Sequence, residues 1–106
     1  MTNEFGIKLD SNGYAPSVMG DRQGCYLCGF CGDLARHEVF HGIANRERSK
    51  NLGCWVNLCP RCHDRLHKKD PKLDWDLKRH GQVQVMKHYR WSKGDFIERF
   101  GRNYVE

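Results

Sequence analysis

The chain has 106 residues, enough for one small domain whose core is marginal unless something staples it, and its six cysteines and six histidines offer the staple. No apolar run is long enough to span a bilayer, so a helical membrane protein is excluded. A net charge of +5, from 18 Lys and Arg against 13 Asp and Glu, favours a polyanionic partner such as DNA or RNA.

The N-terminus lacks a basic stretch leading into an apolar one, so no signal peptide is expected. A cytoplasmic chain follows, in a reducing compartment where Cys pairs are more often metal ligands than disulfides. Residues 1–24 form an extended lead-in: Phe5, Ile7 and Leu9 alternate and Asn12-Gly13 signals a turn, which suits a short hairpin or an ordered loop. Cys25 to Gly32 forms a knuckle in which small residues let backbone amides turn toward sulfur.

Leu34 to Phe40 reads as a strand, Ile43 to Leu52 as a charged loop with at most a helical turn, and Cys54 to Leu58 as a second strand rich in β-formers. Pro60 is pre-set for a helix start, and that helix runs to about Lys69 because Pro71 stops it. Leu58, Cys62 and Leu66 recur every four residues as one inward face, and His63 and His67 share a neighbouring face. A further helix lies between Asp70 and Tyr89, with Leu73, Leu77, Val85, Met86 and Tyr89 as its apolar set and Gly81 as a point of interruption. The last helix is punctuated by a Ser92/Asp95 capping box, apolar Phe96, Ile97 and Phe100, and Gly101 as its stop.

Cys25, Cys28, Cys59 and Cys62 have the double C-x2-C spacing of a tetrahedral structural zinc site, whose binding would add folding free energy that so small a core lacks. Cys31 and Cys54 remain as spare buried thiols. His63 and His67, one helical turn apart, can share a divalent catalytic ion. Arg61, Arg65, Lys68 and Lys69 surround them, and cations beside a metal suit a phosphodiester. Arg46, Arg48, Lys50 and Lys72 complete the expected nucleic-acid contacts, which position phosphates without reading sequence. Upstream, His37, Glu38 and His41 are the catalytic candidates, an imidazole being a natural general base near neutral pH. Strand, loop, strand and helix with a metal between them make an α+β chain with a ββα-metal core over residues 25–70, stapled by the four-cysteine zinc site. Residues 71–106 follow as a C-terminal helical extension packed on that core.

This order of motifs resembles the HNH endonucleases of the His-Me finger class. The run from His37 to Arg46, then Ser49, then Leu58-Cys59-Pro60-x-Cys62-His63, is similar to small HNH proteins of phages and prophages, and the tail from Asp95 to Tyr104 is like theirs. The resemblance covers about residues 25–104. It implies a metal-dependent hydrolase of DNA phosphodiester bonds, nicking or cutting with weak specificity, through one divalent ion (Mg²⁺, Mn²⁺, Ni²⁺ or Zn²⁺) at His63 and His67. The family's first motif pairs a ligand with a base. Here it reads His37-Glu38, which departs from the pattern: His37 is favoured as the base, Glu38 as an aid to the metal or the imidazole, and His41 as the rival base. Asn57 and Asn51 are the candidates for the asparagine that braces this loop. A phage-encoded protein would work in the host cytosol, and two-strand cuts would need a homodimer, a phage protein partner or repeated nicking. The alternatives are a non-catalytic zinc-ribbon module that binds nucleic acid, and a degenerate HNH protein that binds without cutting.

Overall fold

The computed structural model describes residues 1–20, 23–68 and 70–105. Its elements run β1 (Ala35–Glu38), α1 (Ile43–Leu52), β2 (Trp55–Leu58), α2 (Pro60–Lys68), α3 (Pro71–Tyr89) and α4 (Lys93–Phe100). The two strands pair antiparallel, Ala35 opposite Leu58 and His37 opposite Val56, with α1 as the connection between them. Strand alternation then puts His37 on the buried face and Arg36 and Glu38 on the other. Among the described residues no helix is long and apolar enough to cross a membrane.

Segment 43–52 is a helix and not the expected charged loop. It buries only Ser49 and Leu52, so it carries no apolar stripe from which a helix could be read. Tertiary contacts hold it instead. The Ser49 hydroxyl donates to the Phe40 carbonyl at 2.7 Å and accepts from the Phe40 amide at 3.2 Å. Gly53 closes its C-terminus in the left-handed region (φ 83°), a conformation that favours glycine. The helix therefore bends the chain back from β1 to β2 at a set angle.

The other helices start where their caps are written. Pro60 opens α2, and Asp70 caps α3 by accepting from the Leu73 amide at 3.0 Å, with Pro71 behind it. Ser92 and Asp95 form the reciprocal capping box of α4, and Gly101 ends it. Lys69, the expected end of α2 and an expected nucleic-acid contact, lies outside the described residues.

Gly81 does not interrupt α3. It lies against β1's exit, where an added Cβ would come within 2.9 Å of Val39 Cγ1 and 3.4 Å of Phe40 Cζ. The bare backbone lets α3 approach, and Phe40 then packs on Phe96 and Phe100 at ring distances of 5.1 and 4.6 Å. Of the apolar set expected for α3, Leu77 and Val85 are buried while Leu73, Met86 and Tyr89 pack at the margin. Gln82 is fully buried too, donating to Asn103 Oδ1 at 2.8 Å and accepting from the Tyr104 amide at 2.7 Å, which ties the C-terminal tail to α3. Ile97 faces outward rather than joining Phe96 and Phe100.

The lead-in makes two tight turns. Thr2 and Lys8 bridge antiparallel around a turn held by the Asn3 side chain, and the Asp10 carboxylate accepts from the Asn12 and Tyr14 amides. It then lies along α1 and β2: the Ala15 amide donates to Lys50 O, the Trp55 indole to Ala15 O, and the Val18 amide to Gly53 O.

Candidate metal centres

The knuckle Cys25–Cys28 docks on β2 through the Tyr26 amide, which donates to Asn57 O at 2.8 Å. Cys59 and Cys62 sit at the start of α2. The ligand atoms of Cys25, Cys28, Cys59 and Cys62 all lie within 4.8 Å of one another, and Cys28 Sγ is 3.7 Å from Cys59 Sγ. A tetrahedral site with Zn–S bonds of about 2.3 Å requires sulfurs about 3.8 Å apart, so the four thiols can hold one zinc ion. Burial raises the Cys25 thiol, but hydrogen bonds from the Cys59, Cys28 and Leu27 amides outweigh it and bring it down to about 6. Cys62 is pushed up to about 12 by burial and by its sulfur neighbours. Holding all four sulfurs as thiolates this close together would take a cation. Cys54 is a buried spare thiol, as expected, and burial pushes its thiol up. Cys31 is not buried: it sits on the outside of the knuckle turn, its Sγ 3.3 Å from Gly29 O.

The second cluster joins β1 to α2. His63 Nε2 and His67 Nε2 are 3.1 Å apart on one face of the helix. His37 arrives from β1, and the ligand atoms of all three lie within 4.8 Å of one another. The sequence grouped only His63 and His67 on the metal and kept His37 apart as base; the fold brings the three together. His37 is 3% exposed, and its Nε2 has no hydrogen-bond partner among the described residues. Burial pushes its imidazole down to about 3, with His63, His67 and His41 adding to the shift. His63 is lowered as well, by burial first and His67 next. Both are therefore neutral at ordinary pH, the form that offers a lone pair to a metal. An orphaned buried nitrogen beside two imidazoles fits a borderline transition ion well.

His41 stands beside this triad, its ring 6.0 Å from that of His37 and 5.8 Å from that of His67. Its Nε2 lies 3.4 Å from Asp74 Oδ1 on α3. Burial would raise the Asp74 carboxyl, but His41 and Lys78 hold it down at about 2. Glu38 is engaged at both oxygens, accepting from the Tyr14 hydroxyl at 3.1 Å and from Arg46 Nε at 3.4 Å. Arg36 stacks over Tyr14 and Trp55, anchored by Asp10 at 2.7 Å. Tyr14, Arg36, Glu38, His41 and Arg46 line an open cavity of about 730 Å³ with His37, His63 and His67 in its wall, while Asp74 stands behind His41 outside it.

Of the cations expected to meet nucleic acid, Arg46 and Lys50 line this cavity. Arg48 lies on the opposite side of α1 with Glu4 and Arg99, and Arg61 lines a separate groove beside Cys28 and Phe30. Arg65 pairs with Asp70 and Lys68 with Asp64, while Lys72 is exposed at the start of α3. Neither Asn57 nor Asn51 lines the cavity; the brace on the β1–α1 loop is Ser49. Sequence reasoning missed Tyr14, Arg36 and Asp74. The Asp10-to-Tyr14 turn chemistry was a signal for an ordered segment, but nothing local says where that segment docks. Comparison with protein-family models, curated proteins and solved structures returned no match, so any function rests on this geometry.

Proposed function

We propose that this chain is a metal-dependent endonuclease of the HNH kind, built on a ββα-metal core and hydrolysing DNA phosphodiester bonds by nicking or weakly specific cleavage. The observation that carries the reading is the convergence of His37, His63 and His67 at the wall of a cavity edged with cations. These three imidazoles would hold the catalytic ion, and the four-cysteine cluster the structural zinc. A divalent ion there supplies Lewis-acid stabilisation of charge on the phosphoryl and leaving oxygens.

The chain's own groups do the rest. Arg46 and Lys50 draw the phosphodiester to the cavity. His41, the imidazole outside the triad, takes the proton of the attacking water, oriented by Asp74 at its far nitrogen. Water oxygen bonds to phosphorus as the P–O3′ bond breaks. The bonding pair leaves on the 3′ oxygen, which is then protonated, so the ends are a 5′-phosphate and a 3′-hydroxyl. Glu38 holds Arg46 at the cavity edge.

The test is relaxation of supercoiled plasmid with Mg²⁺, Mn²⁺, Ni²⁺, Zn²⁺ or no added ion, beside His63→Ala and His41→Ala. Ion-dependent nicking that His63→Ala abolishes supports the reading, with His41→Ala slowed by about 10²-fold or more. No nicking with any ion, in protein that keeps its zinc, overturns it and leaves a zinc-stapled binding module.

A further inference from the structure

Trp75 follows Asp74 on α3, off the face that this helix buries through Leu77, Gln82 and Val85, and it is 38% exposed. Its ring meets Tyr104 edge-on at 4.9 Å, and exposed Arg102 stands over both rings, 5.1 Å from Trp75 and 5.9 Å from Tyr104. The Tyr104 amide donates to buried Gln82, and the Tyr104 ring packs 5.6 Å from Phe40, so the cluster is held in place before any partner arrives. Fixed, exposed rings beside a guanidinium suit an unpaired nucleotide, the rings taking the base and the cation its phosphate. The acids on either side of Trp75 do not oppose a polyanion: Asp74 pairs with Lys78 at 2.9 Å and Asp76 with Arg79 at 3.0 Å. Lys72, one turn ahead, is exposed. The cluster also adjoins the histidine site. Phe40 precedes His41 in the chain, and Lys78 Nζ, 5.8 Å from the Tyr104 ring, pairs with the same Asp74 that faces His41 at 3.4 Å.

We propose that Trp75, Tyr104 and Arg102 form a stacking platform for an unpaired base of the DNA strand whose phosphodiester lies at the histidine triad. The substrate class follows: DNA with unpaired nucleotides beside the scissile bond, as in a single strand, a flap or a gap, in preference to closed duplex. Negative supercoiling favours local opening of the duplex and so keeps plasmid within that class. The choice of DNA rests on the nuclease reading; the platform itself rests on the ring cluster and its cation.

The experiment is binding of two labelled probes, a short oligothymidylate and an abasic strand of the same length, by fluorescence polarisation, to zinc-bearing protein with no further ion added. Trp75→Ala is expected to weaken oligothymidylate binding about tenfold and abasic binding by less than about twofold. No binding of oligothymidylate by the unaltered chain overturns the proposal, as does unchanged binding in Trp75→Ala. So does an equal loss on both probes, which would assign Trp75 to the fold or to a phosphate contact. A second measurement does not depend on that variant. Oligothymidylate should quench the tryptophan emission of the unaltered chain where the abasic strand does not, and Trp75→Phe should lose most of the quench while its affinity stays within about threefold. A quench that survives Trp75→Phe would put the base at Trp55 or Trp91 and also overturns the proposal. Failure of the nuclease reading looks different: plasmid stays uncut with every ion while the base-dependent binding persists.

Discussion

The Tyr14 hydroxyl, from the N-terminal lead-in, reaches 24 positions along the chain to donate to Glu38 Oε2 at 3.1 Å beside the histidine triad. The contact makes the lead-in part of the site wall. Tyr14 is seated by an edge-on contact with Trp55 and by Arg36 above its ring. Burial, then the Glu38 charge, raises its phenol, so it stays a donor at neutral pH. On the proposed nuclease reading, Tyr14→Phe is expected to slow cleavage by roughly three- to tenfold, about the net worth of one ordinary hydrogen bond. Glu38→Gln should slow it similarly, and the double variant no further than the worse single one. The check is a double-mutant cycle on plasmid nicking; fully additive losses would show that the two residues act apart.

Cys59→Ser should remove the structural zinc and with it the cooperative fold. The four-cysteine cluster joins the first knuckle to the start of α2, and no disulfide links them among the described residues. Structural zinc in small domains contributes about 10–16 kcal/mol of apparent binding free energy, far more than a core of this size can lose. Zinc content by atomic absorption and thermal melting followed by circular dichroism test this together. A zinc-free variant that still melts cooperatively would mean that the hydrophobic core suffices.

Stability should rise with pH between about 5 and 7. His37 has an ordinary value of 6.5 and is pushed down to about 3 by burial and its imidazole neighbours. Across that window the unfolded chain binds the proton and the folded chain does not, so acid favours unfolding. The loss begins as pH falls below 6.5 and levels off near 3; lowered His63 adds in the same direction. Urea melts from pH 7 to 5 should show falling midpoints, with a flatter trend in His37→Gln. A flat profile in the unaltered chain would contradict the burial of a neutral His37.

Ser49→Ala should cost about 1–3 kcal/mol, because it leaves both the amide and the carbonyl of buried Phe40 without their partner. The same change loosens the loop that carries His41. Denaturant midpoints measure the first effect, and Ser49→Thr, which keeps the hydroxyl, should recover part of it. No change on Ser49→Ala would mean that other contacts hold α1 in place.

The helix starts were legible because their causes are local: Pro60, the Asp70-Pro71 pair and the Ser92/Asp95 box act on neighbouring backbone. The inward face of Leu58, Cys62 and Leu66 was legible for the same reason, as a period along one short stretch, and all three are buried. Helix α1 was not legible. Its support comes from Phe40 and Gly53 outside it, and a polar segment with no stripe has no helical period to read.

Ligand spacing alone determined that four cysteines could close on one ion and that His63 and His67 would share a face, since side-chain type and separation along the chain suffice for both. Only tertiary structure decided that His37 would complete the histidine cluster, that Asp74 would face His41 and that Tyr14 would hold Glu38. Each of these depends on contacts between segments far apart in sequence, made when β1, α2, α3 and the lead-in pack around a common core. No local pattern encodes that packing.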